Sequence, residues 1–160
     1  MAILKEELKS LALGVIKKEA DAVMNLQPFV DENFINILNL IFNSKGRLII
    51  TGIGKSAIIG SKIVATMNST GTPSIFMHAA DAIHGDLGII QPDDIVMCIS
   101  KSGNTPEIKV LVPLIARMGN KLIAMVSNVN SYLAQHSDFI LPTTSAQSTL
   151  HSEKMTAACS

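Results

Sequence analysis

The sequence contains no tryptophan, one tyrosine and five phenylalanines, so aromatic residues fill only 4% of its 160 positions. A core built from it has to be aliphatic, packed from Ile, Leu, Val, Met and Ala, and the chain is long enough for one domain to bury such a core. Net charge is also missing. Thirteen basic residues balance thirteen acidic ones, which gives no electrostatic case for nucleic acid, where a clustered basic face is expected. Apolar runs such as "RLIITGIG" and "DFILP" fall far short of the ~20 residues of a bilayer span. The start, "MAILKEELKSLALG", sets charges inside its apolar pattern and lacks the form of a secretory signal. A cytoplasmic protein with neither a membrane nor a nucleic-acid partner is expected. Cysteine is scarce: Cys98 and Cys159 stand far apart among apolar or small residues, as buried free thiols of a reducing compartment do. His78, His136 and His151 lack mutual metal-ligand spacing, so no metal and no cofactor are expected.

What is present is an alternation of patterns. Residues 3–26 carry Ile3, Leu4, Leu8, Leu11, Val15, Ile16, Val23 and Leu26 at helical spacing, with Pro28 ending or redirecting the helix. A second helix is predicted from Asp31, as N-cap, to Asn43. Then come five short β-rich runs, "RLIIT", "PSIFMH", "DIVMCIS", "KLIAMVS" and "DFILP". None alternates cleanly, as befits strands buried on both faces. Helical segments at roughly 55–69, 105–119 and 130–136 separate them, and a tail helix begins near 149. This order predicts a parallel sheet with helices on both sides. The chain divides as N-terminal helices over 1–44, an α/β core over 45–142, and the start of a C-terminal helix over 143–160, all in one domain.

Ligands of such sheets collect at the carboxyl ends of strands, and two loops there are rich in suitable groups. The first strand runs into "TGIGKSAIIG". Gly52 and Gly54 allow close backbone approach, the following helix N-terminus favours an anion, and Lys55 and Ser56 add a cation and a hydroxyl. A Walker A loop would need glycine where Ile49 stands. A dinucleotide fingerprint is nearly met by Gly52, Gly54 and Ala57, but the second strand ends in "MH" without an acid for a ribose. The third strand runs into "SKSGNTPEI". Ser100, Ser102 and Thr105, with backbone N–H groups around Gly103, match the several acceptor oxygens of a phosphate without needing an arginine. Glu107 follows on the first helical turn, either as an acid–base group or as a charge favourable to the helix dipole. The Asp93–Asp94 pair reads as a turn ahead of the third strand. The "HAADAIHGDLGII" stretch brings His84 toward the same rim, either to open a sugar ring or shuttle a proton, or to brace a turn.

These residues resemble the SIS (sugar isomerase) domain, and within it the bacterial arabinose-5-phosphate isomerases. The resemblance spans roughly residues 30–142 and is carried by "STGTPS", "HGDLG" and "ISKSGNTPEI". It implies a flavodoxin-like three-layer sandwich with a five-stranded parallel sheet, a phosphorylated sugar as ligand, and aldose–ketose isomerisation through an enediol(ate). Carried over by residue, the phosphate loop is Ser100, Ser102, Gly103, Asn104 and Thr105, with Lys55 and Glu107 as active-site lysine and carboxylate. The segment "TTSAQSTLHSEKMTAACS" departs from the isomerase pattern. Gln147 stands near the place of a further family glutamate, and Glu153 either substitutes for it or favours its helix dipole. The paired CBS domains often fused behind such domains are not in the sequence, nor is the family's late histidine. A non-catalytic SIS module sensing a phosphosugar is the alternative function. The apolar stripe of the first helix, together with the family's habit, predicts a homodimer or homotetramer.

Overall fold

The computed structural model describes residues 2–143, with side chains from residue 4 onward. Two compact units emerge, divided after Gln27. Helix α1 (Ala2–Met24) belongs to the first. Its Leu4, Leu8, Leu11, Ile16 and Val23 are exposed. It stops two residues before its predicted end, and Pro28 sits inside a separate 3-10 turn, Gln27–Phe29.

The second unit, Pro28–Thr143, is the α/β core. Helix α2 (Glu32–Phe42) starts as predicted, with Asp31 accepting a hydrogen bond from the Phe34 N–H at 2.9 Å. The chain then alternates through β1 (Leu48–Gly52), α3 (Lys55–Ser69), β2 (Ser74–His78), α4 (Ala79–Ile83), β3 (Ile95–Ile99), α5 (Pro106–Met118), β4 (Lys121–Val126), α6 (Tyr132–Gln135) and β5 (Phe139–Pro142). The five strands are all parallel in the order β2-β1-β3-β4-β5. This is the flavodoxin-like order, so the expected architecture holds. Helix α4 has no counterpart in the predicted elements, because five residues cannot display a 3.6-residue period.

Strands β1 and β3 are buried along their whole length, which explains why neither shows an alternating pattern. Their side chains divide between two aliphatic cores. Ile50, Ile95, Met97 and Ile99 meet α2 and α3 on one face. Ile49, Val96 and Cys98 meet Ile108, Leu111, Val112 and Ile115 of α5, with α4 and α6, on the other. Burial among these side chains pushes the Cys98 thiol up to about 12. The Cys159 thiol and the tail helix expected near 149 lie outside the described residues. No helix among the described residues is long and apolar enough to cross a membrane.

At the amino ends of β1 and β3 the sheet is tied by a charge pair. Asp94, with its side chain 1% exposed, receives Arg47 at 2.6 and 3.1 Å, and also the backbone N–H groups of Arg47 and Gln91. Asn120 joins the same knot by donating to the carbonyls of Gln91 and Asp94, both at 2.8 Å. The turn role predicted for Asp94 is thus only part of its work: four donors on one carboxylate fix where two central strands begin. Burial opposes ionisation of Asp94, but the hydrogen bonds from Arg47 and the backbone outweigh it and hold the carboxyl below its ordinary value. A carboxyl with a lowered folded pKa contributes stability above its unfolded pKa and loses it as pH falls through the folded value. Asp94→Asn is expected to cost about 2–4 kcal/mol at pH 7, between a charged hydrogen bond and a fully buried pair, since Arg47 stays partly exposed. In urea titrations the deficit should shrink as pH falls from about 4, where the carboxyl of the unfolded chain protonates, through the lower value of the folded one, where the wild type also loses its charge.

Candidate functional site

Because α3 and α5 pack on opposite faces of the sheet, the loops that follow the adjacent strands β1 and β3 diverge as they leave it. A cleft of about 460 Å³ opens there, lined by Ile53, Ser56, Ser100, Lys101, Ser102, Thr105, Ser127 and Asn128. Five of these eight carry hydroxyls, one an amide and one an ammonium group; no carboxylate is among them. Gly52 lets the first loop pass close to β3, since a Cβ there would lie 3.1 Å from the Ile99 carbonyl oxygen. Helix α3 starts behind Gly54 with no side chain capping it, so its first N–H groups, those of Lys55 and Ser56 included, have no intrahelical partner.

The second loop is held from within and from beside. Ser100 is buried, its N–H donates to the Met125 carbonyl at 3.0 Å, and its Oγ accepts from the Gly103 N–H at 3.1 Å. The Lys101 carbonyl accepts from the Ser127 N–H at 3.2 Å, tying the loop to the end of β4. Ser102 Oγ accepts a long bond, 3.4 Å, from the Asn104 N–H and is otherwise exposed. Thr105 occupies the N-cap of α5 yet makes no capping bond, and its Oγ1 is shielded from solvent with no hydrogen-bond partner. An ordinary cap would be bonded to the first turn. Pro106 follows at the first helical position, where its missing N–H costs nothing.

The structure thus gathers Ser56, Ser100, Ser102 and Thr105 of the predicted residues into one lining. Lys55 and Glu107 lie next to it in sequence, in the first turns of α3 and α5, without being part of it. Lys55 is exposed and Glu107 half-buried. His84 ends α4 as its C-cap, exposed and outside the lining. His78 caps the same helix by accepting from the Ala80 N–H at 3.3 Å. Glu153 and Gln147 lie outside the described residues. Lys101, Ser127 and Asn128 line the cleft without having been predicted. Ser127 and Asn128 follow the "KLIAMV" strand, so the carboxyl-end rule pointed at them, but only the strand order puts β4 beside β3. Among the described residues no cluster of three His, Cys, Asp or Glu could hold a metal ion.

The SIS domain model matches residues 40–159. The chain belongs to the SIS domain family. Arabinose 5-phosphate isomerase KpsF of Escherichia coli O6:H1 is 47% identical over 127 residues, covering 79% of this chain and 39% of its own length. Arabinose 5-phosphate isomerase KdsD of Pseudomonas aeruginosa is 47% identical over 124 residues, covering 78% and 38%. The chain therefore spans about two fifths of the length of the curated relatives it matches. Among solved structures, an E. coli CFT073 protein in complex with arabinose 5-phosphate superposes with a TM-score of 0.82 at 37% identity, covering 89% of this SIS domain chain and 77% of that one.

The unpartnered Thr105 hydroxyl yields a prediction with two signs. Thr105→Val keeps the shape and removes a buried group left without a bond, so the ligand-free protein should gain about 1 kcal/mol or stay unchanged in chemical denaturation. Calorimetric titration with inorganic phosphate should show weaker binding by the same variant. Lost stability with unchanged phosphate affinity would make Thr105 an ordinary structural residue.

Proposed function

We propose that this SIS domain binds a sugar phosphate and isomerises it between aldose and ketose forms, with arabinose 5-phosphate and ribulose 5-phosphate as the pair. The observation that carries this reading is the hydroxyl-lined cleft between β1 and β3, with the unpartnered Thr105 Oγ1 beside it. The named activity of relatives at 47% identity supports the choice of sugar. The loop 100–105 holds the phosphate through hydroxyl and backbone donors, assisted by Gly52, Gly54 and Ser56 and the helix ends behind both loops. With the phosphate fixed, the sugar reaches toward the first turns of α3 and α5.

The reaction moves two protons. A base takes the first from the hydroxyl-bearing carbon beside the aldose carbonyl, and the carbonyl oxygen gathers the negative charge of an enediolate. The hydroxyl proton of that carbon then passes to the former carbonyl oxygen, and the base returns its proton to the former carbonyl carbon, leaving the ketose. Glu107 is the proposed base. Lys55 supplies the positive charge that meets the enediolate as it forms. His84 opens the sugar ring, and Glu153 is the other carboxylate that serves if Glu107 does not.

One observation favours a second reading. Lys55, Glu107 and His84 all stand outside the cleft lining, as they would in a module that senses a phosphosugar without turning it over. Incubation with arabinose 5-phosphate, following ribulose 5-phosphate, separates the two; binding without product supports the sensor. Within the enzyme reading, Glu107→Gln should lower turnover by about 10²- to 10⁴-fold with affinity nearly unchanged. Wild-type turnover in that variant would move the base to Glu153 or His84.

We further propose that the whole chain is a single cytoplasmic SIS domain, with residues 1–44 as its helical N-terminal part, and that it assembles as a homodimer or homotetramer. The exposed Leu4, Leu8, Leu11 and Ile16 of α1 support assembly, since an apolar stripe of that length is costly to leave in water. Light scattering at micromolar concentration should return at least twice the chain mass of 17.1 kDa; a monomer mass would refute it.

A further inference from the structure

Asn104 stands between two loop residues of the proposed phosphate cradle, and family likeness alone makes it a ligand contact. Its bonds say otherwise. Its Oδ1 accepts from the Tyr132 N–H at 2.9 Å, and its Nδ2 donates to the Ser102 carbonyl at 3.1 Å. Exchanging the two amide atoms would break both bonds, so the orientation is fixed by the partners. The acceptor is committed to the first turn of α6, and one of the two Nδ2 hydrogens to the loop's own backbone.

Two neighbouring contacts tie the same two segments together. The Leu133 N–H donates to the Gly103 carbonyl at 3.0 Å. Gly103 has φ +64, and a Cβ there would overlap Ser131 Oγ, a fully buried side chain that caps α6 by accepting from the Ala134 N–H at 3.4 Å. A helix of four residues has too few internal bonds to set its own position. The loop and the helix start therefore hold one another: side chain 104 and carbonyl 103 satisfy the N–H groups of Tyr132 and Leu133 that no intrahelical partner could reach.

We propose that Asn104 is a positioning residue, which fixes the phosphate loop by capping α6 from outside and does not itself hold the ligand. This rests on the reading of residues 100–105 as a phosphate cradle. With the cap in place, the backbone from Ser102 to Thr105 is preset in its binding shape. Without it, the loop has to be ordered by the ligand, and affinity falls by that cost.

A double-mutant cycle separates positioning from contact. Tyr132→Pro deletes the N–H that Asn104 accepts, at the first helical position, where proline is well tolerated. The preceding Ser131 already has φ −73 and ψ 162, the extended shape that a following proline demands. Tyr132→Ala is the control for the lost ring, which stacks on His136 with centroids 4.1 Å apart. Affinities for inorganic phosphate and for arabinose 5-phosphate are read by calorimetry on the full chain. Asn104→Ala should weaken both by roughly 2- to 10-fold, the worth of one neutral hydrogen bond. Tyr132→Pro should weaken both by a similar factor beyond Tyr132→Ala, and the combined variant should be no worse than the weaker single one. Equal losses from Asn104→Ala in the presence and absence of the Tyr132 N–H would make Asn104 a ligand contact and overturn the proposal, as would unchanged affinity in Asn104→Ala. Should Tyr132→Pro fail to fold, amide exchange at Tyr132 in Asn104→Ala decides the matter: faster exchange with weaker phosphate binding supports positioning, and unaltered exchange overturns it. Coupling seen with inorganic phosphate, but no binding of arabinose 5-phosphate, would sink the proposed function and leave the positioning role intact. No binding of either by the wild type would sink both.

Discussion

The pairing of β1 with β3, parallel and buried on both faces, governs everything at the carboxyl rim. Two adjacent strands running the same way cannot be joined by a tight turn, so each must send its chain over a face of the sheet. Here β1 feeds α3 on one face and β3 feeds α5 on the other. Two loops that leave neighbouring strands in opposite directions cannot fill the space between them. The cleft is what that geometry leaves, and both helices present their positive ends beside it. The hydroxyls at positions 56, 100, 102 and 105 decorate an opening that the strand order made.

The opposite edge of the sheet carries a different load. Arg47, Asp94 and Asn120 join the starts of β1 and β3 to the chain that precedes β4, about as far from the cleft as the strands are long. A charge nearly sealed from water holds its register there, while the rim holds its shape through neutral bonds among Ser100, Gly103, Asn104 and the start of α6. The charged knot lies at one end of the sheet and the proposed recognition loops at the other. The rim can then carry an unsatisfied group such as Thr105 Oγ1 without endangering the sheet.

Much of this was legible in the sequence, for identifiable reasons. Strands buried on both faces write uninterrupted aliphatic runs, and the break from such a run into Gly, Ser and Thr marks a carboxyl end; "ISKSGNT" and "TGIGKS" were readable for that cause. The α3 and α5 boundaries followed from glycine and proline beside apolar periodicity. What stayed hidden depends on direction and neighbourhood, which a linear pattern does not encode. Asp94 read as a turn residue, because its partner Arg47 is separated from it by the whole β1–α3–β2 excursion. Ser127 and Asn128 joined the cleft only once β4 was known to lie beside β3. Lys55 and Glu107 were rightly placed in the first turns of their helices, but which way those turns face is set by packing. Asn104 looks the same in the sequence whether its amide points at a ligand or at Tyr132.

The makeup of the cleft lining bears on how the protein meets its surroundings. Attraction between exposed ions fades over a Debye length of about 8 Å at physiological ionic strength, whereas a directed hydrogen bond from a hydroxyl is not screened in that way. With Lys101 as its single cationic group among five hydroxyls and an amide, the cleft is built so that an oxyanion held as proposed is selected by where its oxygens lie more than by the size of its charge. Discrimination among oxyanions at this rim then falls to shape.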